Sequence, residues 1–454
     1  PNAMPFNRDK VEQWSLAYWL LKCHENFFFK LYFRTEIVGI EKLPDNATLI
    51  FAPNHQNTLM DALAILTLKR DFQPIFLARA DIFKKPFLSK ILTFLKIMPV
   101  YRSRDGFENL LLNDRIFQKT LDVLQNRNGL VVLPEGSHEG VKKLRQLKKG
   151  IARIAFQAED AANGKLGIQI VPVGLEYSNY VAFRSNLLIR LGEPIEVDRY
   201  LELYRQNRAQ AYNALIAELE QRMRLEMINI EDENYTAYLT ILELFSARYI
   251  KERKLPKSQN QKFQVDKKII SLLDRLKNTN ASEFEEIIKN ANDYGRIISA
   301  NGLSVKLLPA SSKTLRDLPI RLLLLLITMP VALYGAVNNA IPIAVPYLLS
   351  KKFKDVQFHS SIKHAGALLL TPLAYLVQTL VVGFVLKNIW LALAYLATLP
   401  LGAAAFYLWR REFFRFTSQL SLRRFRKAKA EEFDLVNDLN NQIYRTVTGL
   451  VDKE

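Results

Sequence analysis

An α/β domain, a sheet flanked by helices, followed by a helical insert and then by C-terminal membrane helices, is the architecture this sequence predicts. Three observations predict it. Short apolar runs alternate with helical patterns from Thr48 to Val197, a polar and charged stretch runs from Arg199 to Leu308, and two long apolar stretches, Leu322 to Leu349 and Ala365 to Trp409, lie beyond. The 454 residues suffice for about three domains. Hydrophobic residues at 49% and charged ones at 24% exclude wholesale disorder and low-complexity chain. Lys and Arg (63) outnumber Asp and Glu (45), a net charge of +18 that favours a polyanionic partner: nucleic acid, an anionic membrane face or a phosphorylated substrate. A single cysteine, Cys23, forms no internal disulfide and excludes a cysteine-built zinc or iron site, which suits a reducing cytoplasm.

Met4 reads as the natural start, Pro1 to Ala3 are set aside, and no secretory signal follows. Residues 4–40 are expected to form an amphipathic helix at the lipid interface. Trp14, Trp19 and Phe27, Phe28 and Phe29 supply interfacial rings, while Lys22, Glu25 and Lys30 interrupt the apolar run. A helix packed on its own domain is the competing reading. In the α/β domain, 41–198, the strand candidates are Thr48 to Ala52, Pro74 to Ala78, Gly129 to Leu133, Ile168 to Leu175 and Leu187 to Leu191. Helical patterns between them cover Asp61 to Lys69, Phe83 to Leu95, Asn109 to Gln125 and Gly150 to Ala162. The insert, 199–310, is soluble and helical with a basic interruption at Lys251 to Lys268.

Residues 311–430 hold the apolar helices with their basic flanks, and 431–454 a C-terminal tail. A crossing needs about 20 residues, so Ala365 to Trp409 is long enough for two helices with a turn at Lys387. The first stretch suffices for one crossing or for a re-entrant pair broken at Asn338. Basic clusters precede it (Lys313, Arg316, Arg321), follow it (Lys351, Lys352, Lys354) and follow the second stretch (Arg410 to Lys429). All three clusters lie on the cytoplasmic side when the number of crossings is even, so a re-entrant segment plus a hairpin is favoured over three crossings.

Four sites in the α/β region carry chemistry. Pro53-Asn54-His55-Gln56-Asn57-Thr58-Leu59-Met60-Asp61 joins a strand to a helix. A histidine such as His55 can take a proton from a hydroxyl near neutral pH, and Asp61, reaching from the helix's first turn, would fix its tautomer. Asp61 at a helix N-terminus also has an ordinary dipole role. Pro99 to Arg104 presents Arg102, whose forked donors suit phosphate. Val131 to His138 ends a strand in Pro134-Glu135-Gly136-Ser137, where Gly136 allows close backbone approach and Glu135 and Ser137 can hydrogen-bond a polyol. Arg145, Lys148 and Lys149 then precede Gly150 and a helix, a place for a phosphate or a coenzyme's anions. Val171-Pro172-Val173-Gly174 is a buried strand with a structural role.

Together, in this order, the four sites resemble the glycerolipid acyltransferases of phospholipid synthesis, over roughly Glu41 to Val197. The resemblance implies that His55 and Asp61 are the catalytic pair and that Arg102 binds the glycerophosphate. It makes Pro134 to Ser137 the Pro-Glu-Gly-Thr block, and Val171 to Gly174 the family's fourth block. Substrate binding would fall to Arg102, Glu135, Gly136, Ser137, Arg145 and Lys149. Three departures stand out. Five residues rather than four separate His55 from Asp61, as in the variant spacing of fungal glycerol-3-phosphate acyltransferases. Lys96 occupies a position normally glycine, and His138 the position of an arginine.

The implied reaction moves a fatty acyl group from acyl-CoA or acyl-ACP to a hydroxyl of glycerol 3-phosphate or 1-acyl-glycerol 3-phosphate. It proceeds by direct transfer at the cytoplasmic face of a membrane, with membrane lipids as partners and no metal or further cofactor. The competing readings are acylation of another lipid acceptor such as an amino-acid lipid, and a non-catalytic membrane lipid-binding scaffold. Nucleic-acid binding is set aside, because the basic runs adjoin apolar segments and lack interleaved aromatics on a soluble face.

Overall fold

The protein is described from a computed structural model covering residues 11–45, 47–100, 118–126, 128–305 and 318–453. It divides into two compact units. The first runs to Asn229 and takes in Ser350–His364; the second holds Ile230–Leu349 and Ala365–Glu454.

The first unit is built on α1 (Leu16–Tyr32), β1 (Phe33–Val38), β2 (Thr48–Pro53), α2 (Leu59–Leu66), β3 (Ile75–Arg79), α3 (Pro86–Phe94) and β4 (Ile97–Val100). Helical backbone at 118–125 leads to β5 (Leu130–Val131), α4 (Gly150–Ala161), β6 (Ile168–Tyr177), β7 (Ser185–Leu191), β8 (Ile195–Glu196), α5 (Leu201–Gln206) and α6 (Arg208–Glu226). Among the described residues the eight strands form one mixed sheet in the order β1-β7-β6-β2-β5-β3-β4, with β8 also paired to β6. The run from β6 to β4 is parallel, while β7 and β8 run antiparallel to β6. The sheet and its flanking helices agree with the α/β expectation.

Neighbouring residues of a strand point to opposite faces, and both faces are covered. Ile50, Ile75, Leu130 and Ile170 pack with Ile151 and Phe156 of α4 and with Leu215 and Leu219 of α6. Phe51, Phe76, Val131 and Val171 pack with Phe29 of α1 and Met60 and Ala64 of α2. Pro172 sits inside β6, where a missing N–H would ordinarily break a ladder. Its carbonyl accepts from Gly192 N at 2.9 Å, at the gap where the antiparallel partner of β6 passes from β7 to β8, so the missing donor faces no strand. Gly174 meets α6 directly: a Cβ there would lie 1.7 Å from the Glu226 carbonyl oxygen. Because α6 packs so closely on the sheet, the unit extends beyond residue 198, the boundary read from polarity, to Asn229.

Helix α1, which gives way to β1 at Phe33, packs one face on its own domain, as the competing reading had it. Tyr18, Lys22, Glu25, Phe29 and Tyr32 are buried, while Trp14, Leu16, Leu20, Phe27 and Leu31 are exposed. Lys22 is satisfied by the carbonyls of Lys69 and Arg70 at 2.6 and 2.7 Å. Lys96 has φ 58, a conformation that suits glycine. Its Nζ reaches across to the carbonyls of Val11 and Gln13 at 2.7 and 2.6 Å, and burial pushes its pKa down to about 8.

The second unit contains α7 (Tyr235–Glu252), α8 (Gln259–Thr279), α9 (Ala281–Ala300), α10 (Leu318–Asn338), α11 (Ala340–Ser350), the greater part of α12 (Phe358–Leu386), α13 (Ile389–Ala428) and α14 (Ala430–Asp452). Phe245, Tyr294, Leu273, Val436 and Ile443 form buried seams among α7, α8, α9 and α14. The expected basic interruption is a correction: helix resumes at Gln259, because Phe263, Ile269, Leu273 and Leu276 keep a 3.6-residue apolar face beneath exposed lysines. Leu318–Asn338, Phe358–Leu386 and Ile389–Ala428 are each long and apolar enough to cross a membrane. The turn expected at Lys387 is present, with Lys387 at φ 49 and Asn388 capping α13. Helix α10 ends at Asn338, where a break was expected, and α11 begins two residues later.

The break is held by polar side chains inside the apolar helices. Tyr395 donates to Asn338 Oδ1 at 2.6 Å, Gln378 Nε2 donates to the Asn338 carbonyl at 3.0 Å, and Tyr375 donates to Asn339 Oδ1 at 2.7 Å. Such bonds hold helices together where lipid offers no partner. Gly335 of α10 and Gly402 of α13 lie so close that a Cβ on Gly335 would be 2.0 Å from the Gly402 carbonyl oxygen.

Candidate active site

The carboxyl ends of the parallel strands are where an α/β sheet presents its loops for chemistry. Strand β2 ends at Pro53, and Asn54 locks the exit: its Oδ1 accepts from Leu175 N at 2.7 Å and its Nδ2 donates to the Leu175 carbonyl at 3.2 Å. His55 follows, with Nδ1 2.9 Å from Asp61 Oδ2. The Asp61 side chain is 0% exposed and that of His55 13%, so the carboxylate is sealed while the ring reaches solvent.

The turn folds around this carboxylate. Asp61 Oδ2 also accepts from the backbone N–H of Gln56 at 2.8 Å and of Asn57 at 2.7 Å, and Oδ1 accepts from Tyr177 Oη at 2.8 Å. With two backbone N–H groups and a phenol already donating to it, the Asp61 carboxylate is an acceptor toward the ring, which places the His55 proton on Nδ1 and leaves the Nε2 lone pair free. Burial and the Asp61 charge hold the Tyr177 phenol well above its ordinary range, so it remains a donor. Between His55 and Asp61 the chain turns at Thr58, whose φ of 46 and ψ of −121 are exceptional for a β-branched side chain.

The turn after β5 supplies the second half. Glu135 Oε1 accepts from the backbone N–H of His55 at 2.7 Å, and Oε2 accepts from Arg145 Nε at 2.9 Å. Burial raises the Glu135 carboxyl above its ordinary value, against the pull of those donors. Arg145 Nη1 donates to Ser137 Oγ at 2.9 Å, while its Nη2 is buried with no partner among the described residues. Gly136 turns the chain at φ 70, beneath the Lys148 side chain. The His138 ring lies edge-on to His55, 5.4 Å between centroids, and its Nε2 is 2.7 Å from Asp355 Oδ2.

His55, Asp61, Glu135, Gly136, Ser137 and Arg145 are therefore brought together. Lys149 stands exposed as the residue preceding α4 and is not part of this hydrogen-bonded set. Arg102, beyond the end of β4, lies outside the described residues. Tyr177, Asn54 and Asp355 belong to the site and were not among the sequence candidates. Tyr177 and Asn54 depend on which strands are neighbours, which no local pattern reveals. The described residues contain no group of three or more His, Cys, Asp or Glu arranged for a metal ion.

Comparison with known proteins falls on the same stretch of chain. An acyltransferase family profile matches residues 34–176. Over 137 residues, 30% of this chain and 18% of the relative, it is 29% identical to glycerol-3-phosphate O-acyltransferase 2 of Saccharomyces cerevisiae. Over 145 residues, 32% of this chain and 38% of the relative, it is 24% identical to the chloroplastic 1-acyl-sn-glycerol-3-phosphate acyltransferase BAT2 of Brassica napus. The chain thus spans well under half the length of these curated relatives. The crystal structure of the 1-acyl-sn-glycerophosphate acyltransferase PlsC from Thermotoga maritima aligns with 45% of this chain and 80% of its own, at 22% identity and a TM-score of 0.30. Residues 34–176 are an acyltransferase domain, homologous to the glycerol-3-phosphate and 1-acyl-sn-glycerol-3-phosphate acyltransferases.

Proposed function

We propose that the protein transfers a fatty acyl group from a thioester, acyl-CoA or acyl-ACP, to a hydroxyl of a glycerol-phosphate acceptor at the cytoplasmic face of a membrane. The observation that carries this reading is the His55–Asp61 pair, with Nδ1 held at 2.9 Å and the ring partly exposed, inside an acyltransferase domain. His55 Nε2 takes the proton of the acceptor hydroxyl as its oxygen bonds to the thioester carbonyl carbon. The carbon–sulfur bond then breaks, and the same proton passes to the departing thiolate, giving an ester and a free thiol. No enzyme nucleophile is needed, so kinetics are sequential rather than ping-pong. Asp61 fixes the tautomer and stabilises the imidazolium; Glu135 holds the His55 backbone.

Arg102, Ser137, Arg145 and Lys149 are assigned to the substrate anions. The unpartnered Nη2 of Arg145 supports this for that residue, since a buried guanidinium nitrogen is costly without an acceptor. Glycerol 3-phosphate is the first acceptor to test, because the variant His–Asp spacing and the 29% identical yeast relative favour it. 1-Acyl-glycerol 3-phosphate is the second, favoured by the Brassica relative. Three helices long and apolar enough to cross a membrane, and a net charge of +18, support catalysis against anionic lipid.

The test is acyl transfer by purified full chain with both acceptors. His55→Ala is expected to lower kcat by about 100-fold or more, the usual scale for general-base catalysis. Transfer by this variant at the wild-type rate would overturn the assignment.

A further inference from the structure

Thr58 does not hold its own conformation. No side-chain bond caps α2 there, and a threonine at φ 46 persists only where its surroundings over-determine it. Those surroundings come from a distant segment. Ser361 Oγ lies 2.6 Å from Thr58 Oγ1, although the two residues are 303 positions apart, and Thr58 Oγ1 donates to the Gln357 carbonyl at 3.1 Å. Ser360 Oγ donates to Asn57 Oδ1 at 2.7 Å, while Asn57 Nδ2 donates to the Tyr180 carbonyl at 3.0 Å. Ser360 is 0% and Ser361 7% exposed, so these bonds are sheltered from water. The turn is therefore gripped from two sides: the N–H groups of Gln56 and Asn57 by Asp61, and the side chains of Asn57 and Thr58 by Ser350–His364.

This strap is anchored along its length. Asp355 meets His138, and the Phe358 ring packs edge-on to His138 at 5.1 Å. Lys363 Nζ donates to the Val181 carbonyl at 2.6 Å. His364 is buried between the rings of Phe29 and Tyr32, 6.0 and 5.6 Å away, with Nε2 3.3 Å from Glu25 Oε1. In sequence the strap joins α11 to the body of α12, yet it belongs to the acyltransferase unit.

We propose that Ser360 and Ser361 are positioning residues for the His55–Asp61 pair, an inference that rests on the catalytic reading of that pair. Without their hydroxyls Thr58 relaxes toward an ordinary backbone conformation. That motion draws the N–H groups of Gln56 and Asn57 off Asp61 Oδ2, and the carboxylate loses the alignment that presents His55.

The experiment compares full-length wild type, Ser360→Ala/Ser361→Ala, Ser361→Ala, Ser361→Thr and His55→Ala in one thioester assay with glycerol 3-phosphate and its 1-acyl form. At about two- to tenfold per neutral hydrogen bond, the double variant is expected to lose about 4- to 100-fold in kcat. The Michaelis constants should stay within about twofold, and Ser361→Thr should restore the rate. Should the double variant not fold, Ser361→Ala alone carries the test, with an expected loss of about two- to tenfold. A second arm uses Thr58→Gly, which adopts positive φ freely and lacks the hydroxyl. In that background Ser361→Ala should have no further effect. Wild-type kcat in the serine variants, a loss confined to the Michaelis constants, or an equal loss in the Thr58→Gly background would each overturn the proposal. An active His55→Ala would instead overturn the catalytic reading beneath it.

Discussion

Tyr177→Phe isolates one hydroxyl. The ring packs on Phe33 at 5.4 Å and on Tyr180 at 5.6 Å, and phenylalanine keeps both contacts, so the change removes only the 2.8 Å bond to Asp61 Oδ1. Asp61 is fully buried and no water can replace the lost donor. A hydrogen bond to a charged group contributes ~1.5–3 kcal/mol, and the whole of it is forfeited when the charge is left behind. For a unit of this size that corresponds to roughly 3–12 °C in melting temperature. The rate should suffer less. Three donors still hold Oδ2, the oxygen that faces His55, so kcat is expected to fall by less than about tenfold. Thermal unfolding of the purified chain, read alongside acyl transfer, gives both quantities. A variant that melts within about 1 °C of wild type and turns over normally would show that Oδ1 is not sealed and dependent on Tyr177, and the description of the turn would fail.

Two other substitutions probe the frame. Gly174→Ala places a methyl group against the Glu226 carbonyl and must push α6 off the sheet; a loss of ~1–3 kcal/mol or more is expected, and an unchanged melting temperature would contradict the close approach. Lys96 binds its proton less tightly in the folded chain (about 8) than at its ordinary value of 10.5, so the unfolded chain holds more protons between those limits. Stability relative to Lys96→Met should therefore rise by up to ~3 kcal/mol as pH climbs from about 8 to 10.5, and a flat difference across that range would refute the burial of the charge.

How much of this was legible in the sequence depends on range. His55 and Glu135 follow strands whose apolar runs announce themselves, Asp61 lies in the first turn of the helix after His55, and it is the resemblance to a family that joins them into one site. Strand β1, Phe33–Val38, was hidden because its first residue continues the aromatic face of α1. Strands β4 and β8, of four and two residues, are too short to show a period. Tyr177 becomes a ligand of Asp61 only because β6 lies beside β2, a fact of sheet order. Ser360 and Ser361 look like a polar start to an apolar helix, and nothing local ties them to a turn 303 positions earlier.

The strap also decides what a minimal version of this molecule can be. Cutting after Asn229 would retain every strand of the sheet and every motif by which the domain is recognised, yet it would discard Ser350–His364. The acyltransferase-bearing unit is discontinuous along the gene, and its missing piece is flanked by apolar helices. A soluble fragment should keep its sheet and lose its competence, and supplying 350–364 through a short engineered linker is the repair the topology suggests.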